Sequence, residues 1–518
     1  MNLKKIIPVA LMFFLFKISS AQILFQKTFG GTGSEWANSI LQTTDGGYVI
    51  AGATNSFGAG SFDFYLIRTD VNGDSLWVKT YGGSSDDIAY TVCETTDGGF
   101  MITGTTESFG AGNRDILVIK TDANGDTLLT TTFGGIMDDF SNIIFMTNDG
   151  GYMIAGTTYN FGAGIDMYLI KIDANGDSLW TKTFGCGISD KGYSALQTMD
   201  GGYVIAGSSF NGASNDCYLI KSDASGNLLW SKSFGGITDD QAYSVLQTAD
   251  SGFTICGFTA SFGAGGRDIY LIRTDKNGDL LWTRTYGGQH LDEGQSIQKT
   301  FDGGFIVAGF TVSFGASNEE IYLVRTNAFG DTLWTRTLGG FDPEEANSIQ
   351  KTFDGGFIIA GLAQSFGMGN LDVYIIKTDS LGTFGCNAGN PASIVTTPST
   401  IESSPTTMIS SGGTVTTSAI TVSVGGSPVT QCSSSGLQSL NSNPEEVFIY
   451  PNPFYNDLKI SSNKNGEFIL FDVTGNEILR QRSLAGETNL NTIKLGAGIY
   501  ILRYIEENKI MNIKLTKM

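Results

Sequence analysis

Short apolar runs separated by Gly, Asn and Asp recur along most of the chain. In the first full set they are ANSILQT (37–43), GYVIAGAT (47–54), DFYLIRT (63–69) and SLWVKTY (75–81). The runs are rich in β-branched and aromatic residues, which is typical of β-strands. The TDGG and DVNGD segments between them suit hairpin turns, because Gly, Asn and Asp accept positive φ angles at little cost. The pattern predicts four antiparallel strands.

This four-strand unit occurs seven times. The phrase DGGYVIAG begins at Asp45, and its relatives begin at Asp97, Asp149, Asp200, Asp250, Asp302 and Asp354. The intervals are 52, 52, 51, 50, 52 and 52 residues. Four antiparallel strands every ~50 residues are typical of β-propeller blades. We therefore predict an all-β protein in which residues 22–386 form a seven-bladed β-propeller.

The first strand of the chain looks like the last strand of a repeat. Residues 23–29, ILFQKTF, match SLWVKTY of the first repeat. The seventh repeat runs through DVYIIKT (372–378) and then degrades without a full fourth strand. We predict that the N-terminal strand fills this place, which closes the ring and removes an unpaired edge.

Two side chains recur in the fourth run. A large apolar side chain is followed two residues later by a base in most copies. They are Trp77, Leu129, Trp180, Trp230, Trp282 and Trp334, and Lys79, Lys182, Lys232, Arg284 and Arg336. We expect the large side chains to fill the wedge between adjacent blades. We expect the bases to discourage intermolecular pairing of an exposed outermost strand.

Residues 1–21 have the layout of a secretory signal peptide. Lys4 and Lys5 precede an apolar run over 6–16, and SSA leads to cleavage after Ala21. The apolar run is shorter than the ~20 residues that span a bilayer. No later stretch is apolar enough to do so, and we predict an exported chain without a transmembrane segment.

Composition narrows the partners. The chain has 31 basic and 51 acidic residues and a net charge of −20, which disfavours nucleic acid as a partner. Glycine is abundant, at 69 of 518 residues, as expected for a chain with many tight turns.

The cysteines show no CxxC pattern. Cys386 and Cys432 bracket a region without other cysteines, and we expect a disulfide between them. Cys186 and Cys217 are a second candidate pair. Cys93 and Cys256 stand where other repeats have small apolar residues and are interpreted as core positions; these six are all the cysteines.

The sequence changes after the repeats. Residues 387–446 are rich in Ser and Thr, which indicates an extended linker or a weakly ordered β segment. Residues 447–518 regain alternating runs separated by Gly and Asn, as in a small β-sandwich. They contain VFIYPNP, DVTGNEI, GAGIYIL and a final basic strand.

These last motifs, in this order, resemble the C-terminal sorting domain of type IX secretion system cargo of Bacteroidota (type A, similar to the Por secretion tail). The matching residues are Tyr450, Pro451, Asn452, Pro453, Gly496, Gly498 and Tyr500. The resemblance implies export by the Sec route and passage through the type IX machinery, which residues 447–518 would contact. It also implies removal of the domain, then release or attachment at the cell surface. The resemblance implies where the protein is delivered and says nothing about its activity.

Acids recur at two places in every repeat. The first set is Glu35, Asp87, Asp139, Asp190, Asp240, Asp292 and Glu344, and the second is Asp63, Asp115, Asp166, Asp216, Asp268, Glu320 and Asp372. Both sets are predicted on one face of the propeller, as a rim that binds Ca²⁺ or a cationic or polyhydroxylated ligand. The structural alternative is that each acid accepts backbone N–H bonds or pairs with a base on the third strand. Those bases are Arg68, Lys120, Lys171, Lys221, Arg273, Arg325 and Lys377. A feature repeated in every blade usually serves the blade.

Signals for catalysis are weak. His290 is the only histidine, so a Ser-His-Asp triad could use no other base and a histidine-based metal site is excluded. A glycosidase needs only two carboxylates ~5–9 Å apart, which the many acids allow but no motif favours. We predict no catalytic residue and no cofactor, with Ca²⁺ as the one candidate ion.

These features favour a secreted or cell-surface, non-catalytic module that binds or adheres to glycans or other extracellular polymers, or to a protein. The alternatives are a secreted glycan-degrading hydrolase that uses rim carboxylates, and a structural surface component. Departures from the repeat are where we expect specificity. They are FGCGISDKG (184–192), SSFNGASND (208–216), QHLDE (289–293) and FDPEE (341–345).

Overall fold

The computed structural model describes residues 23–315 and 319–384 and, beyond residue 387, the strands named below. The chain divides into two compact units, residues 1–436 and 437–518. Within the described residues every regular element is a β-strand, which confirms the predicted all-β class. In that part of the chain there is no helix long and apolar enough to cross a membrane. The predicted signal peptide, residues 1–21, lies outside it.

The repeats form four strands each, close to the predicted runs. The chain begins with β1 (Leu24–Phe29), and the first repeat has β2 (Glu35–Gln42), β3 (Tyr48–Thr54), β4 (Asp63–Thr69) and β5 (Ser75–Gly82). The second has β6 (Asp87–Glu94), β7 (Phe100–Thr106), β8 (Asp115–Thr121) and β9 (Thr127–Gly134), and the third has β10 (Asp139–Met146), β11 (Tyr152–Thr158), β12 (Asp166–Ile172) and β13 (Ser178–Gly185). The fourth has β14 (Ser189–Gln197), β15 (Tyr203–Phe210), β16 (Asn215–Ser222) and β17 (Leu228–Gly235), and the fifth has β18 (Asp240–Gln247), β19 (Phe253–Thr259), β20 (Asp268–Thr274) and β21 (Leu280–Gly287). The sixth has β22 (Asp292–Lys299), β23 (Phe305–Thr311), β24 (Glu320–Thr326) and β25 (Thr332–Leu338), and the seventh has β26 (Glu344–Lys351), β27 (Phe357–Ala363) and β28 (Asp372–Thr378).

Each repeat folds into one antiparallel sheet with its strands in chain order. The second and third strands of the first, third and fifth repeats are buried along their whole length, which explains their nearly continuous apolar runs. Successive sheets pack against each other, and Ile358 and Ile375 of the seventh repeat share a cluster with Ile50 and Ile67 of the first. The described sheets are blade-like and consistent with a β-propeller.

The large side chains of the fourth strands lie between sheets, as expected. The ring of Trp77 meets Phe100 of the next repeat edge-on at 5.9 Å between centroids, and Trp230 meets Phe253 in the same way. Phe25 of β1 packs on Tyr48 at the same distance. β1 therefore supplies the seventh sheet with a large side chain that packs against the next sheet, as the tryptophan-bearing fourth strands do in other repeats.

β1 occupies the place that the seventh repeat leaves empty. It pairs antiparallel with β28, with Phe25 opposite Lys377 and Phe29 opposite Val373. It is the fourth strand of that sheet, after β26, β27 and β28.

A fifth strand is added to every described repeat sheet by the segment that follows the repeats. These outer strands are β29 (Ala388–Gly389), β30 (Ile394–Thr396), β31 (Ile401–Ser403), β32 (Met408–Ser410), β33 (Thr414–Thr416), β34 (Thr421–Val424) and β35 (Pro428–Ser434). They pair in turn with β25, β21, β17, β13, β9, β5 and β1. The chain thus returns along the sheets in reverse order. Composition predicted an extended linker or a weakly ordered β segment here; the described strands of the segment pair with the repeat sheets, and the chain up to residue 436 belongs to the first compact unit.

The outer strands change the interpretation of the fourth-strand bases. Residues 79–82 of β5 pair with β34, so the fourth strand is not outermost. The Nζ of Lys79 contacts the carboxylate of Asp126, and Lys232 lies 2.8 Å from Asp279. The expectation that these bases protect an exposed edge is wrong; Lys79, Lys232 and Arg284 instead pair with a turn acid of the next repeat.

Four cysteines of the repeats are free: Cys93, Cys186, Cys217 and Cys256. The candidate bridge between Cys186 and Cys217 is therefore wrong. Cys256 is fully buried and Cys93 packs against an apolar cluster, as their positions in the repeat predict. Cys386 lies outside the described residues, and the backbone of Cys432 is opposite Gln26, so their disulfide stays a prediction.

The C-terminal unit contains two described sheets. One is formed by β36 (Val447–Tyr450), β37 (Asp457–Ser462) and β40 (Gly486–Asn491), and the other by β38 (Gly466–Phe471), β39 (Glu477–Ser483), β41 (Gly498–Glu506) and β42 (Lys509–Lys517). Phe468, Leu470 and Leu502 are buried in the second sheet. Of the motif residues, Tyr450, Gly498 and Tyr500 are on strands, whereas Pro451, Asn452, Pro453 and Gly496 lie outside the described residues.

Candidate functional site

Each repeat sheet has two chemically different ends. One, here the turn end, carries the TDGG and DxNGD turns. The other, the glycine end, carries the loops around SFGAG and the GG that precedes each first strand. Both predicted sets of acids lie at the glycine end, because the first set stands at or next to the start of the first strands and the second set at or next to the start of the third strands.

The first set of acids is buried, with no exposed surface. Each carboxylate accepts a backbone N–H from the residue four positions earlier, at 2.6–2.9 Å. Hydroxyl groups add further hydrogen bonds: Ser108 donates to Asp87 at 2.8 Å, and Ser261 donates to Asp240 at the same distance. These acids hold the GG loops in place.

The second set packs against the first across a glycine. The outer oxygen of Asp63 accepts the N–H groups of Ala59 and Gly60 at 2.9 and 3.3 Å. A Cβ added at Gly82 would overlap Oδ1 of Asp63 and lie 2.8 Å from Oδ2 of Asp87. The same arrangement recurs around the corresponding glycines of the other repeats. Two carboxylates per sheet boundary therefore share one buried space.

Burial without a base shifts several acids of the glycine end toward the neutral form. Burial, with the charge of the paired Asp115, raises the pKa of Asp139 to about 6. Burial, with the charge of Asp292, raises the pKa of Asp268 to about 6. The pKa of Asp63 and of Asp87 is raised by burial in the same direction.

The third-strand bases lie at the turn end and do not pair with these acids. Lys171 lies 3.0 Å from Asp149, and Arg325 lies 2.5 Å from Asp302. Lys377 is paired in the same way with Asp354, at 2.9 Å. The base-pairing alternative for the glycine-end acids is wrong, and their partners are backbone N–H groups, hydroxyls and, at Asp139 and Asp216, side-chain amides.

The described residues contain no group of three or more His, Cys, Asp or Glu side chains arranged to hold a metal ion. His290, the one histidine, lies in the loop before β22, and its backbone N–H donates to Ser313 Oγ at 2.9 Å. The rim hypothesis for the two acid sets stays a prediction, with the acids buried and bonded to their own loops.

The residues that directly follow the first-set acids form a row that the sequence did not predict as a whole, although Lys191, Glu293 and Glu345 fall within the departures from the repeat where specificity was expected. This inner row is Trp36, Ile88, Phe140, Lys191, Gln241, Glu293 and Glu345. Because side chains alternate along a strand, the inner row lies on the face opposite the buried acids. Its members are half-buried, apart from the buried Glu293, and the first strands that carry them contact one another from repeat to repeat, including β26 with β2. The signal was available in the sequence: six different residue types occupy these seven positions, each beside an acid that is present in every repeat.

One side of the inner row is aromatic. Trp36 packs on Phe62 with ring centroids 4.9 Å apart, and Phe140 packs on Tyr159 at 5.9 Å. The guanidinium of Arg114 lies 5.8 Å from the Phe140 ring. Arg114, Phe140, Ile88 and Tyr90 line a cavity of about 80 Å³.

The other side is acidic. Glu293 lies 2.5 Å from Arg267, whose guanidinium covers the Phe258 ring at 4.2 Å. Burial, together with the neighbouring Glu319, raises the pKa of Glu345 to about 7. An aromatic side and a side rich in hydrogen-bonding groups are features of sites for small polar ligands.

These features define a class of protein with repeated antiparallel sheets and a variable set of side chains at one end, followed by a separate β unit. Residues 448–517 match the family described as Secretion system C-terminal sorting domain. The predicted type IX sorting domain is thus confirmed. This domain implies secretion of the chain to the cell surface or to the outside of the cell.

Among curated proteins, regulatory protein FlaEY of Caulobacter vibrioides is 27% identical over 114 residues, which are 20% of this chain and 12% of FlaEY. The chain thus spans only a small part of that relative. The activity of FlaEY is therefore not assigned to this chain.

Solved structures are similar at low identity. PorZ, an essential surface component of the type IX secretion system of Porphyromonas gingivalis, is 12% identical, with a TM-score of 0.37 over 95% of this chain and 60% of PorZ. Sqt1 of Chaetomium thermophilum is 9% identical, with a TM-score of 0.42 over 70% of this chain and 98% of Sqt1. At these scores neither similarity supports an argument about fold or function.

Proposed function

We propose that residues 22–386, with the outer strands, form a seven-bladed β-propeller closed by β1. It would follow a signal peptide over 1–21, precede the sorting domain over 447–518, and bind extracellular glycans without catalysis. Contacts between the first and seventh sheets support closure: Asn347 Nδ2 donates to the Ala37 carbonyl at 2.9 Å, and the Gln42 N–H donates to Gln350 Oε1 at 2.5 Å.

The observation that carries the binding role is the inner row. The framework around it repeats, with one buried acid, one glycine packed against it and one turn acid per unit, whereas the inner row changes from Trp36 to Lys191 to Glu345. Positions that serve the blade stay the same in every blade. Positions that differ around one axis create an asymmetric surface, which a ligand needs and a scaffold does not.

The chemistry of this surface suits a polyhydroxylated ligand. Flat aromatic faces such as Trp36 and Phe140 pack against the apolar face of a sugar ring. Carboxylates and amides such as Glu345 and Gln241 accept and donate hydrogen bonds to hydroxyl groups. Phosphorylated polymers fit poorly, because the chain is strongly acidic.

The test is a glycan-array screen of the purified chain, followed by titration of the best glycan. We expect Trp36→Ala to weaken binding about tenfold or more, since it removes the aromatic platform. Leu76→Ala is the control, because Leu76 is 59% exposed on β5, away from the inner row. Absence of glycan binding, or equal binding by both variants, would contradict the proposal.

A second candidate, glycan hydrolysis, is favoured by one observation. Glu345, with its pKa raised to about 7 by burial and by the charges of Glu319 and Glu293, has the protonation behaviour of a general acid. Glu345→Gln would then abolish release of reducing ends while glycan binding persists. Turnover that survives this change excludes Glu345 as the acid.

Calcium binding by the glycine-end acids is tested separately. A calorimetric titration of the chain with Ca²⁺, repeated on Asp87→Asn, measures heat and a change in melting temperature. Heat that disappears in the variant supports a cation site, and absence of heat in the unchanged chain contradicts it.

A further inference from the structure

The loop between the second and third strands is shorter in the fourth repeat. In the first repeat Thr54 pairs with Asp63, and eight residues lie between them. In the fourth repeat the equivalent pair is Ser209 and Asp216, with six residues between. The strands continue to Phe210 and Asn215, and a tight turn replaces the longer loop.

The shorter loop removes hydrogen-bond donors from one carboxylate. In the fifth repeat, Oδ2 of Asp268 accepts the N–H groups of Ala264 and Gly265 at 3.0 and 3.3 Å. In the fourth repeat, Oδ2 of Asp216 accepts instead from the side-chain amide of Asn211, at 3.1 Å. An exposed, movable side chain has taken the place of two fixed backbone donors.

A compensating change has occurred across the sheet boundary. The second glycine of GG packs against a loop serine in five other repeats, and against Asn160 in the third; a Cβ added at Gly83 would lie 2.6 Å from Cβ of Ser108. The fourth repeat lacks that serine, and Cys186 stands in place of the glycine. Its Sγ lies 3.2 Å from Ser209 Oγ and 3.6 Å from Oδ1 of Asp190. The thiol fills only part of the vacated space.

The remaining space is a cavity of about 310 Å³, lined by Cys186, Ile188, Ser209, Phe210, Asn211 and Asp216, among others. Its described lining has one carboxylate, an apolar wall and no base. Asp239 and Asp240 lie close enough that their charges, after burial, help to raise the pKa of Asp216. The negative potential of this group of acids favours a positively charged guest and repels anions.

We propose that this cavity binds a small organic ammonium ion, with its charged group on Oδ2 of Asp216 and its apolar part against Phe210 and Ile188. The ammonium replaces the two backbone N–H donors that the longer loop supplies in other repeats. The cavity is separate from the inner row, and the inference does not depend on glycan binding.

The test compares benzylamine with benzyl alcohol, which match in shape and differ in charge at neutral pH. Each is titrated into the purified chain by calorimetry at low ionic strength. We expect benzylamine to bind about tenfold or more tightly than the alcohol, because a charge-assisted hydrogen bond to Asp216 forms only with the ammonium. Equal affinity, or no binding of benzylamine at millimolar concentration, overturns the proposal.

Two variants locate the site. Asp216→Asn is expected to reduce benzylamine affinity to that of the alcohol. Asp268→Asn is the matched control, because Asp268 is the same residue of the fifth repeat with its backbone donors in place, and it should leave affinity unchanged. An equal loss in both variants overturns the assignment to the cavity.

A third measurement does not require any variant of Asp216 to fold. Benzylamine should slow alkylation of Cys186 in the unchanged chain, with the modified thiol identified by peptide mapping. Replacing residues 210–215 by the longer loop of the fifth repeat should fill the cavity and abolish this protection. Alkylation of Cys186 at the same rate with and without benzylamine contradicts the proposal.

Discussion

Aspartates lie at both ends of the repeat sheets, but their surroundings differ. At the turn end, the acid is mostly exposed and the base is buried: the side chain of Asp149 is 60% exposed and that of Lys171 only 3%. A hydrogen bond from Thr147, with Lys171, lowers the pKa of Asp149 to about 2. At the glycine end the acid is buried without a base, and burial raises the pKa of Asp139 to about 6.

The difference shows that the same side chain stabilises a loop in two ways. At the turn end an ion pair holds the hairpin. At the glycine end, backbone N–H groups hold the acid, and a missing side chain on the neighbouring glycine makes room for it. The first arrangement depends on charge, and the second depends on space.

The largest effect should come from filling that space. Gly82→Ala is expected to lower the free energy of unfolding by about 3 kcal/mol, because the new Cβ overlaps Oδ1 of Asp63. Gly98→Ala at the turn end is the control. Gly98 has φ of 81° with no atom near the added Cβ, and it should cost about 1 kcal/mol from backbone strain alone. Urea denaturation measures both, and equal losses would contradict the comparison.

Breaking the turn-end ion pair should lower the free energy of unfolding by less than filling that space does, and by different amounts for the two partners. Asp149→Asn is expected to destabilise by about 2 kcal/mol, since it leaves the Lys171 ammonium buried with only the Ile172 carbonyl at 3.2 Å and no carboxylate. Lys171→Met should cost about 1 kcal/mol, because the freed carboxylate is already solvated. A larger loss for Lys171→Met in the same denaturation experiment would show that the acid, not the base, carries the cost.

The two ends should respond oppositely to pH. Asp139 and Asp268 bind protons more tightly in the folded state, with pKa about 6 against 3.8, so their contribution to stability falls as pH rises from about 4 to about 6. Asp149 and Asp302, with pKa lowered to about 2, contribute stability that is lost as pH falls below about 4. The melting temperature should therefore peak near pH 4–5, about 2 °C or more above its value at neutral pH. The double variant Asp139→Asn, Asp268→Asn should flatten the high-pH side, and an unchanged profile would contradict this assignment.

The smallest effect should come from the ion pairs between neighbouring repeats. Lys79→Met is expected to cost about 0.5 kcal/mol, because Asp126 is 69% exposed and the pair is screened by water. The cost should vanish in high salt. Lys232→Met, which removes the matching pair with Asp279, should behave alike; a loss that persists in salt would indicate lost packing of the side-chain stem.

The sequence predicts much of the repeat region, because the repeats supply their own comparison. The strand positions, the place of β1 beside the seventh repeat and the sorting domain follow from patterns that are long or repeated. The burial of acids such as Asp87 does not follow, since charged residues are usually exposed. The first glycine of the loop before each first strand, such as Gly82 beside Asp87, was the available clue. It is present in every repeat and marks a place where a side chain does not fit.

The outer strands were missed for a different reason. Ile394, Ile401, Met408, Val415, Val422 and Val429 recur every seven residues in the Ser/Thr-rich segment. Most of the strands they mark are three or four residues long, too short to show an alternating pattern. Only the regular seven-residue interval between these apolar residues, with one such residue for each sheet, could have revealed the outer strands. The inner row was predicted only in part: Lys191, Glu293 and Glu345 lie in segments that depart from the repeat, whereas Trp36 and Phe140 lie in segments that keep its length and turn residues.

The order of the outer strands also fixes how the repeat unit would carry a mechanical load. β35 is the last outer strand before the sorting domain, and it pairs with β1, which in turn pairs with β28. A pull applied beyond residue 436 therefore reaches β35 first, then β34, and so on back along the segment. Each step peels one short strand and leaves the four-stranded sheet behind it intact. A protein tethered by its C-terminal side would lengthen in small steps under shear before its repeats are strained.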